Sequence, residues 1–185
     1  MLLHDASLGR PFPDRAEIEV DESGNGSALR LAARNGIPYG DLAAVVASSG
    51  HRYIPARAAA HVAYLFGAES ARLKQAIPER RRVHGEMQVQ FKGHIFTKPY
   101  LVRHTKPQVC GRCLEDGGYA YAYWDLSLAT SCVVHQARLS DSCEACGKRI
   151  SWRRPALWQC WCGSSLARAE AESVSEAEWR FNCLL

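Results

Sequence analysis

The sequence VCGRCLEDGGYAYAYWDLSLATSCVVHQARLSDSCEACGKRISWRRPALWQCWCGSSL, from Val109 to Leu166, decides the fold of this 185-residue chain. Seven of the eight cysteines lie in this stretch. With one histidine they form four closely spaced pairs, which are Cys110/Cys113, Cys132/His135, Cys143/Cys146 and Cys160/Cys162. The CxxC, CxxH and CxC spacings each place two donors on one metal ion, and two such pairs complete a tetrahedral zinc site. The sequence therefore predicts two structural sites, with two Zn²⁺ ions per chain.

The order in which the pairs combine follows from the cost of closing loops. Sequential pairing closes shorter loops than interleaved pairing, and the entropic cost of closure rises with loop length. The first predicted site therefore consists of Cys110, Cys113, Cys132 and His135. The second consists of Cys143, Cys146, Cys160 and Cys162.

Disulfide bonds and buried free thiols are the other interpretations of these cysteines. Disulfides require an oxidising compartment, and the N-terminal sequence lacks the basic and apolar pattern of a secretory signal. No run approaches the roughly 18 apolar residues that are needed to span a bilayer. We therefore expect a soluble cytoplasmic protein, in which reducing conditions favour metal binding over disulfides.

A competing motif would make the chain an enzyme. His84-Gly85-Glu86, followed by Cys110 and Cys113, is similar to the zinc-deaminase signature, in which a glutamate moves the proton of a zinc-bound hydroxide. That signature has proline directly before its first cysteine, where this chain has Val109. It would also leave the CxxH pair without a metal ion. We therefore favour structural zinc and predict no catalytic or cofactor-binding residues.

Net charge limits how the chain can meet nucleic acid. The formal charge is +4 with neutral thiols. Seven thiolates and two Zn²⁺ ions together contribute −3, which leaves about +1 in the metal-bound protein. Such a protein does not coat nucleic acid indiscriminately, so a contact has to come from a local patch. Arg80, Arg81 and Arg82 are the candidates, because consecutive arginines clamp phosphates, although a solvated turn explains them equally well.

Four helices are predicted before the arginine run. Asp21-Glu22-Ser23 places acids and a capping hydroxyl at the start of a first helix, which Asn35-Gly36 ends. Pro38 begins the second helix, and the third and fourth occupy residues 55–67 and 69–77. Helix, Asn-Gly turn and helix form the outline of a helix-turn-helix. Such a hairpin either reads DNA or only packs, and the pattern alone leaves both open.

The predicted fold class is α+β and mainly α. A helical bundle resembling a helix-turn-helix domain precedes a tandem zinc-ribbon module with short β-hairpins and a C-terminal helix. The predicted divisions are an extended arm (1–20), a helical domain (21–82), a connecting strand and loop (83–108), a double zinc-ribbon domain (109–166) and a helical tail (167–185).

Three segments carry further expectations. The proline-punctuated arm lacks an obvious core role and is free to order against a partner. The tyrosine row Tyr119, Tyr121 and Tyr123, with Trp124, either stacks bases or supplies core area, and a small module favours the core. The tail is expected to anchor through Leu166, Val174 and Phe181, whereas Cys183 has no predicted partner.

These motifs resemble the TniQ family of transposition proteins. The matching stretches are Asp21-Glu22, Arg30-Leu31-Ala32, Asn35-Gly36, CGRCL, Trp124 before CVVH, CEACGKRI and CWCGSSL. The resemblance extends from Pro11 to Leu166. The chain departs from the family where Gly26-Ser27 replaces the usual serine-tryptophan, and where Gly111 and Glu144 stand in place of proline.

The resemblance implies a non-catalytic adaptor for targeted transposition. Such proteins link a target-site selector, either an RNA-guided CRISPR effector or a DNA-binding partner, to the AAA+ ATPase that recruits the transposase. DNA is then contacted directly or within the complex, and the sequence leaves a homodimer open. If the N-terminal arm contacts the ATPase, deleting residues 1–19 is expected to leave zinc content and folding intact and to abolish binding of that ATPase. The alternative from the residues alone is a zinc and helix-turn-helix transcriptional regulator that binds DNA by itself.

Overall fold

The computed structural model of the chain describes residues 9–47, 52–167 and 172–185. Its helices and strands, in chain order, are α1 (Gly24–Arg34), α2 (Tyr39–Ala47), α3 (Ala59–Phe66), α4 (Ser70–Gln75), β1 (Glu79–Val83), β2 (Glu86–Phe91), β3 (His94–Phe96), α5 (Gly111–Glu115), β4 (Ser131–Cys132), β5 (Ala137–Arg138) and α6 (Glu176–Asn182). The predicted α+β class with a C-terminal helix is confirmed. No helix within the described ranges has the length and apolar character needed to cross a membrane.

One hydrophobic core joins the helices to the cysteine-rich segment. Leu29 and Phe66 from the helices lie in the same buried cluster as Trp124 and Trp152 from the cysteine-rich segment. Trp124 supplies core area as predicted, and Tyr121 and Tyr123 pack against the cluster from its edge. Because each buried tryptophan removes roughly 150–250 Å² from water, the two halves of the chain stabilise each other.

Helix α1 begins at two glycines that allow close packing. A Cβ atom on Gly24 would overlap the side chain of Ile77, and one on Gly26 would lie 2.7 Å from the Cβ of Ala120. Ser23 occupies the N-cap position, but its side chain makes no capping bond to the helix. Its hydroxyl instead donates a 2.6 Å hydrogen bond to Oδ2 of Asp125. The predicted capping role of Ser23 is therefore wrong, since a distant buried carboxylate takes the hydroxyl.

The predicted Asn-Gly turn between α1 and α2 is confirmed. Gly36 adopts the left-handed conformation with a φ of 68°, which glycine tolerates without strain. The Asn35 side-chain amide donates to the backbone oxygens of Leu31 and Asp14, both at 2.8 Å. Asn35 therefore caps the C-terminal end of α1 and also binds the N-terminal segment to this helix.

The N-terminal segment has a core role, which corrects the sequence interpretation. Ile18 is only 1% exposed. The backbone N–H groups of Phe12 and Ala16 donate to the carbonyl oxygens of Leu65 and Phe66, at 2.9 and 3.1 Å. Deleting residues 1–19 would therefore remove part of the core, and the expectation that folding survives this deletion is wrong. The first eight residues lie outside the described part of the chain.

A three-stranded antiparallel sheet follows α4 in the order β1-β2-β3. His84 and Gly85 connect β1 to β2 with φ values of 49° and 86°, and Lys92 and Gly93 connect β2 to β3 with 48° and 82°. Two-residue loops with positive φ at both positions suit the right-handed twist of the strands. The sequence interpretation missed β1, because the strand sequence ERRRV has no apolar alternation.

The C-terminal helix is anchored by residues that differ in part from those predicted. Leu166 is buried as expected, but Phe181 is 47% exposed and does not anchor the tail. Oδ1 of Asn182 instead accepts the backbone N–H of Thr130 at 2.9 Å. The indole N–H of Trp179 donates to the backbone oxygen of Val133 at 2.8 Å. Helix α6 therefore docks on β4 and its following loop through polar contacts, while residues 168–171 of the tail and the predicted linker 48–50 lie outside the described ranges.

Candidate metal centres

The first cluster brings together three sulfur atoms and one imidazole nitrogen. Sγ of Cys113 lies 3.5 Å from Sγ of Cys132 and 3.2 Å from Nδ1 of His135. Sγ atoms of Cys110 and Cys132 lie 3.6 and 3.7 Å from the same nitrogen. Donor atoms around a tetrahedral ion with bonds of about 2.0–2.3 Å are roughly 3.5–3.8 Å apart. The donor set therefore fits one tetrahedral metal ion.

Local backbone structure presents these four donors. Cys110 is the N-cap of α5, and Cys113 follows in its first turn, which places both sulfurs at one end of a short helix. Cys132 ends strand β4, and His135 lies in the loop that leads to β5. A Cβ atom on Gly118 would overlap the carbonyl oxygen of Cys113, so only glycine allows the chain to turn back here.

A carboxylate outside the cluster orients the histidine. Nε2 of His135 lies 3.0 Å from Oδ2 of Asp116, on the side of the ring away from the sulfurs. A proton on Nε2 held by this carboxylate leaves the lone pair of Nδ1 free to bind a metal ion among the sulfurs. The sequence analysis missed Asp116, although an acid three positions after a CxxC cysteine is a usable signal.

The second cluster contains four cysteines with a similar separation. Sγ of Cys143 lies 3.7 Å from Sγ of Cys162, and Sγ of Cys146 lies 3.9 Å from Sγ of Cys160. Gly147 and Gly163, at φ values of 68° and 88°, follow the two pairs and return their backbone N–H groups to Cys143 and Cys160. Each pair therefore sits in a tight turn that faces the other pair.

The structure groups the eight side chains in the same two sets as the sequential pairing does. In each set the donor atoms all lie within 4.8 Å of one another. The sulfurs are too far apart for disulfides, which have S–S bonds of about 2.05 Å, and the cysteines are free. The two clusters are thus compatible with binding two metal ions.

Thiol electrostatics also favours a cation in the first cluster. Hydrogen bonds with Cys110 and Cys132 raise the pKa of Cys113. Hydrogen bonds with Cys110 and Cys113 lower the pKa of Cys132. Neighbouring sulfurs therefore compete for the proton, because adjacent thiolates repel each other. A divalent cation would remove this competition by stabilising all three thiolates.

Two residues of interest lie outside both clusters. His84 is in the β1–β2 turn and joins neither group of donors among the described residues. The structure therefore gives no support to the deaminase motif, which requires His84 to share a metal with Cys110 and Cys113. Cys183 is exposed and also joins neither group among the described residues.

The three arginines proposed to contact nucleic acid lie on the edge strand β1. Because side chains alternate along a strand, Arg80 and Arg82 share one face and Arg81 points to the other. Nε of Arg80 lies 3.2 Å from Nε2 of His104, and Arg81 pairs with Glu79 at 2.8 Å. The three do not form one clamp, and their contact with nucleic acid stays a prediction.

The exposed face of α2 is poorly suited to reading DNA. It consists of Asp41, Ala44 and Val45, which offer the base edges no cationic or amide side chain. At the start of the helix, Arg153 packs so close to Gly40 that an added Cβ would lie 3.2 Å from its guanidinium. This face of α2 therefore does not favour a stand-alone regulator.

A buried polar network supports both halves of the fold, and sequence analysis did not find it. Asp125 is 2% exposed, and its backbone oxygen accepts the N–H of Arg103 at 2.6 Å. Burial raises the pKa of its carboxyl to about 7. Arg154 is equally buried, and burial lowers the pKa of its guanidinium to about 10. The charge of Cys160 acts in the opposite direction on the pKa of Arg154, so this arginine lies close to the second cluster.

Taken as a class, the chain is a set of helices joined through one core to a segment with two Cys/His clusters that are compatible with binding metal ions. It belongs to the TniQ family, because a model of that family, described as TniQ, matches residues 13–139, more than half of the chain. The match contains the first cluster and ends before the second. No curated protein matches the chain. Family membership associates the chain with transposition.

Proposed function

We propose that each cluster holds one Zn²⁺ ion and that both ions are structural. Three thiolates with one imidazole, and four thiolates, are the usual donor sets of structural zinc. With four protein donors, a bound ion has no open position for water or substrate. Binding at such a site contributes roughly 10–16 kcal/mol of apparent free energy, which is similar to the net stability of a whole domain.

Purified protein should contain two zinc ions per chain. Each cluster supplies a full set of four donors within 4.8 Å. Elemental analysis by mass spectrometry, normalised to protein concentration, measures the ratio. A value of one or none in protein purified without chelator would contradict the proposal.

We propose that the chain is a non-catalytic adaptor in targeted transposition. It would link a target-site selector, either an RNA-guided CRISPR effector or a DNA-binding partner, to the AAA+ ATPase that regulates the transposase. The observation that carries this proposal is the family match over residues 13–139. The closed donor sets support it, because they suit a rigid scaffold better than a reaction centre.

An open apolar groove is the proposed contact for the ATPase. It has a volume of about 900 Å³ and lies between β3, the tyrosine row and the C-terminus. Ile95 and Leu184 line it and are 67% and 85% exposed. Exposed apolar surface of this kind marks protein contacts, and the free edge of β3 also offers backbone groups to a partner strand.

Replacing Ile95 by aspartate should weaken ATPase binding by about 30-fold or more, because a charge would enter an apolar contact centre. Co-purification with the transposon's own ATPase, followed by titration calorimetry, measures the loss. Val45→Asp is the matched control, since Val45 is 68% exposed on α2 and lies outside the groove.

Three outcomes separate the parts of the proposal. Loss of binding in Ile95→Asp alone supports the groove. Equal binding by wild type and both variants would move the contact elsewhere on the chain. The adaptor role would be overturned if wild-type protein with two zinc ions bound neither the ATPase nor the target selector.

A further inference from the structure

A basic cleft lies beside the second metal cluster and shares no lining residue with the apolar groove. It has a volume of about 420 Å³, within the size range of ligand-binding clefts. Four separate stretches of chain form it, and three of them supply the cations Arg52, Lys106, Arg149 and Arg153. None of the described residues that line the cleft is acidic. The cleft therefore presents a local positive field.

Most of this charge is not neutralised within the protein. Arg149 forms a 2.6 Å ion pair with Asp141 outside the cleft. Arg52, Lys106 and Arg153 are exposed, and none has a carboxylate partner among the described residues. In a chain that is nearly neutral with its metals bound, such a concentration of unpaired cations favours an anionic ligand.

An exposed tryptophan stands at the same cleft. Trp161 is 64% exposed, although tryptophan is one of the residues that gain most from burial. It lies between Cys160 and Cys162, and the backbone N–H of Cys160 donates to Ser164 at 2.9 Å. The ring is thus carried by a tight turn that a bound metal ion would hold in place. This arrangement offers a flat apolar face to solvent beside the cations.

We propose that this cleft binds single-stranded nucleic acid, with one base stacked on Trp161 and the backbone phosphates against Arg52, Lys106 and Arg153. Cations that follow the backbone, combined with an aromatic platform for bases, are the common elements of single-strand binding sites. Duplex DNA keeps its bases stacked inside the helix, so it would contact the cations without using the ring. An acidic protein segment would likewise not require the tryptophan face.

The test uses the full-length protein with its metals and a fluorescein-labelled oligothymidylate of about 12 nucleotides, within the usual site sizes. Fluorescence anisotropy measures the Kd at several salt concentrations. Trp161→Ala should weaken binding by about 5- to 150-fold, the range for loss of one base stack. Trp161→Phe should keep much of the affinity, because phenylalanine retains an aromatic face.

A pair of lysine substitutions separates the cleft from general electrostatics. Lys106→Glu should weaken binding and reduce the magnitude of the salt slope by about 0.7 for each phosphate that the protein no longer neutralises. Lys98→Glu makes the same charge change at an exposed lysine outside the cleft and should leave the Kd within about twofold if the cleft is the site.

Each remaining outcome counts against the proposal. Equal losses in both lysine variants would show that general charge governs binding. Unchanged binding in Trp161→Ala, or tighter binding of a matched duplex or of an acidic polyglutamate peptide, would exclude a stacking site for single strands. The zinc content of every variant is measured alongside, so that damage to the second metal site is recognised. If Trp161→Ala loses zinc, the Kd of Trp161→Phe with its full zinc content decides the case. The ATPase takes no part, so the result is independent of the adaptor proposal.

Discussion

Replacing His135 by alanine should reduce the zinc content from two ions to about one per chain and unfold much of the protein at room temperature. The first cluster shares its core with the helices, and Cys110, Cys113 and Cys132 are all buried there. Loss of one donor opens a metal site that contributes roughly 10 kcal/mol or more of apparent binding free energy. This is comparable to the whole net stability of a small domain. Zinc analysis and circular dichroism of the purified variant measure both effects.

Two further variants make this result specific. His84→Ala removes a histidine from an exposed turn and should retain both zinc ions and the wild-type spectrum. His135→Cys should restore the missing ion, because zinc accepts four thiolates as readily as three with one imidazole. Full zinc content in His135→Ala, or loss of an ion in His84→Ala, would contradict the assigned donors and revive the deaminase motif.

Replacing Asp125 by asparagine should stabilise the protein increasingly as the pH rises toward 7. Burial raises the pKa of this carboxyl from an ordinary 3.8 to about 7, so the folded state holds a proton that the unfolded state releases between these values. The free energy of unfolding of the wild type therefore falls across this window on account of Asp125. Asparagine resembles the protonated acid, keeps an oxygen to accept from Ser23 and does not titrate.

The free energy of unfolding of Asp125→Asn should exceed that of the wild type by about 2 kcal/mol near pH 5.5. The difference should grow to about 4 kcal/mol near pH 8, at 1.36 kcal/mol per pKa unit. Urea unfolding in zinc-containing buffer, with zinc content checked at each pH, measures it. Ser23→Ala removes the hydroxyl that donates to the carboxylate, and this hydrogen bond lowers the pKa of Asp125. In Ser23→Ala the pKa of Asp125 should therefore be higher than in the wild type. The free energy of unfolding of this variant should continue to fall up to a higher pH. Parallel profiles for wild type and Asp125→Asn would show that the carboxyl is ionised in the folded protein.

Local patterns made much of the protein predictable from its sequence. The CxxC, CxxH and CxC spacings are short-range features, so the two donor sets follow from neighbouring residues and from loop length alone. Asn35-Gly36 and Gly67 mark helix ends for the same reason, because a left-handed residue ends a helix whatever surrounds it. The family and the α+β class rest on these local signals.

Contacts between distant residues were decided only by the tertiary structure. Ser23 and Asp125 are 102 positions apart, so the sequence near Ser23 indicated a cap where the fold makes a buried hydrogen bond. Phe12 and Ala16 donate to carbonyl oxygens of α3 and Ile18 is buried in the shared core, which no local pattern reveals. Strand β1 exists because β2 pairs with it, and the basic cleft exists because folding brings Arg52 beside Lys106 and Trp161. Propensity and spacing describe neighbours along the chain, whereas these features depend on which surfaces the shared core brings together.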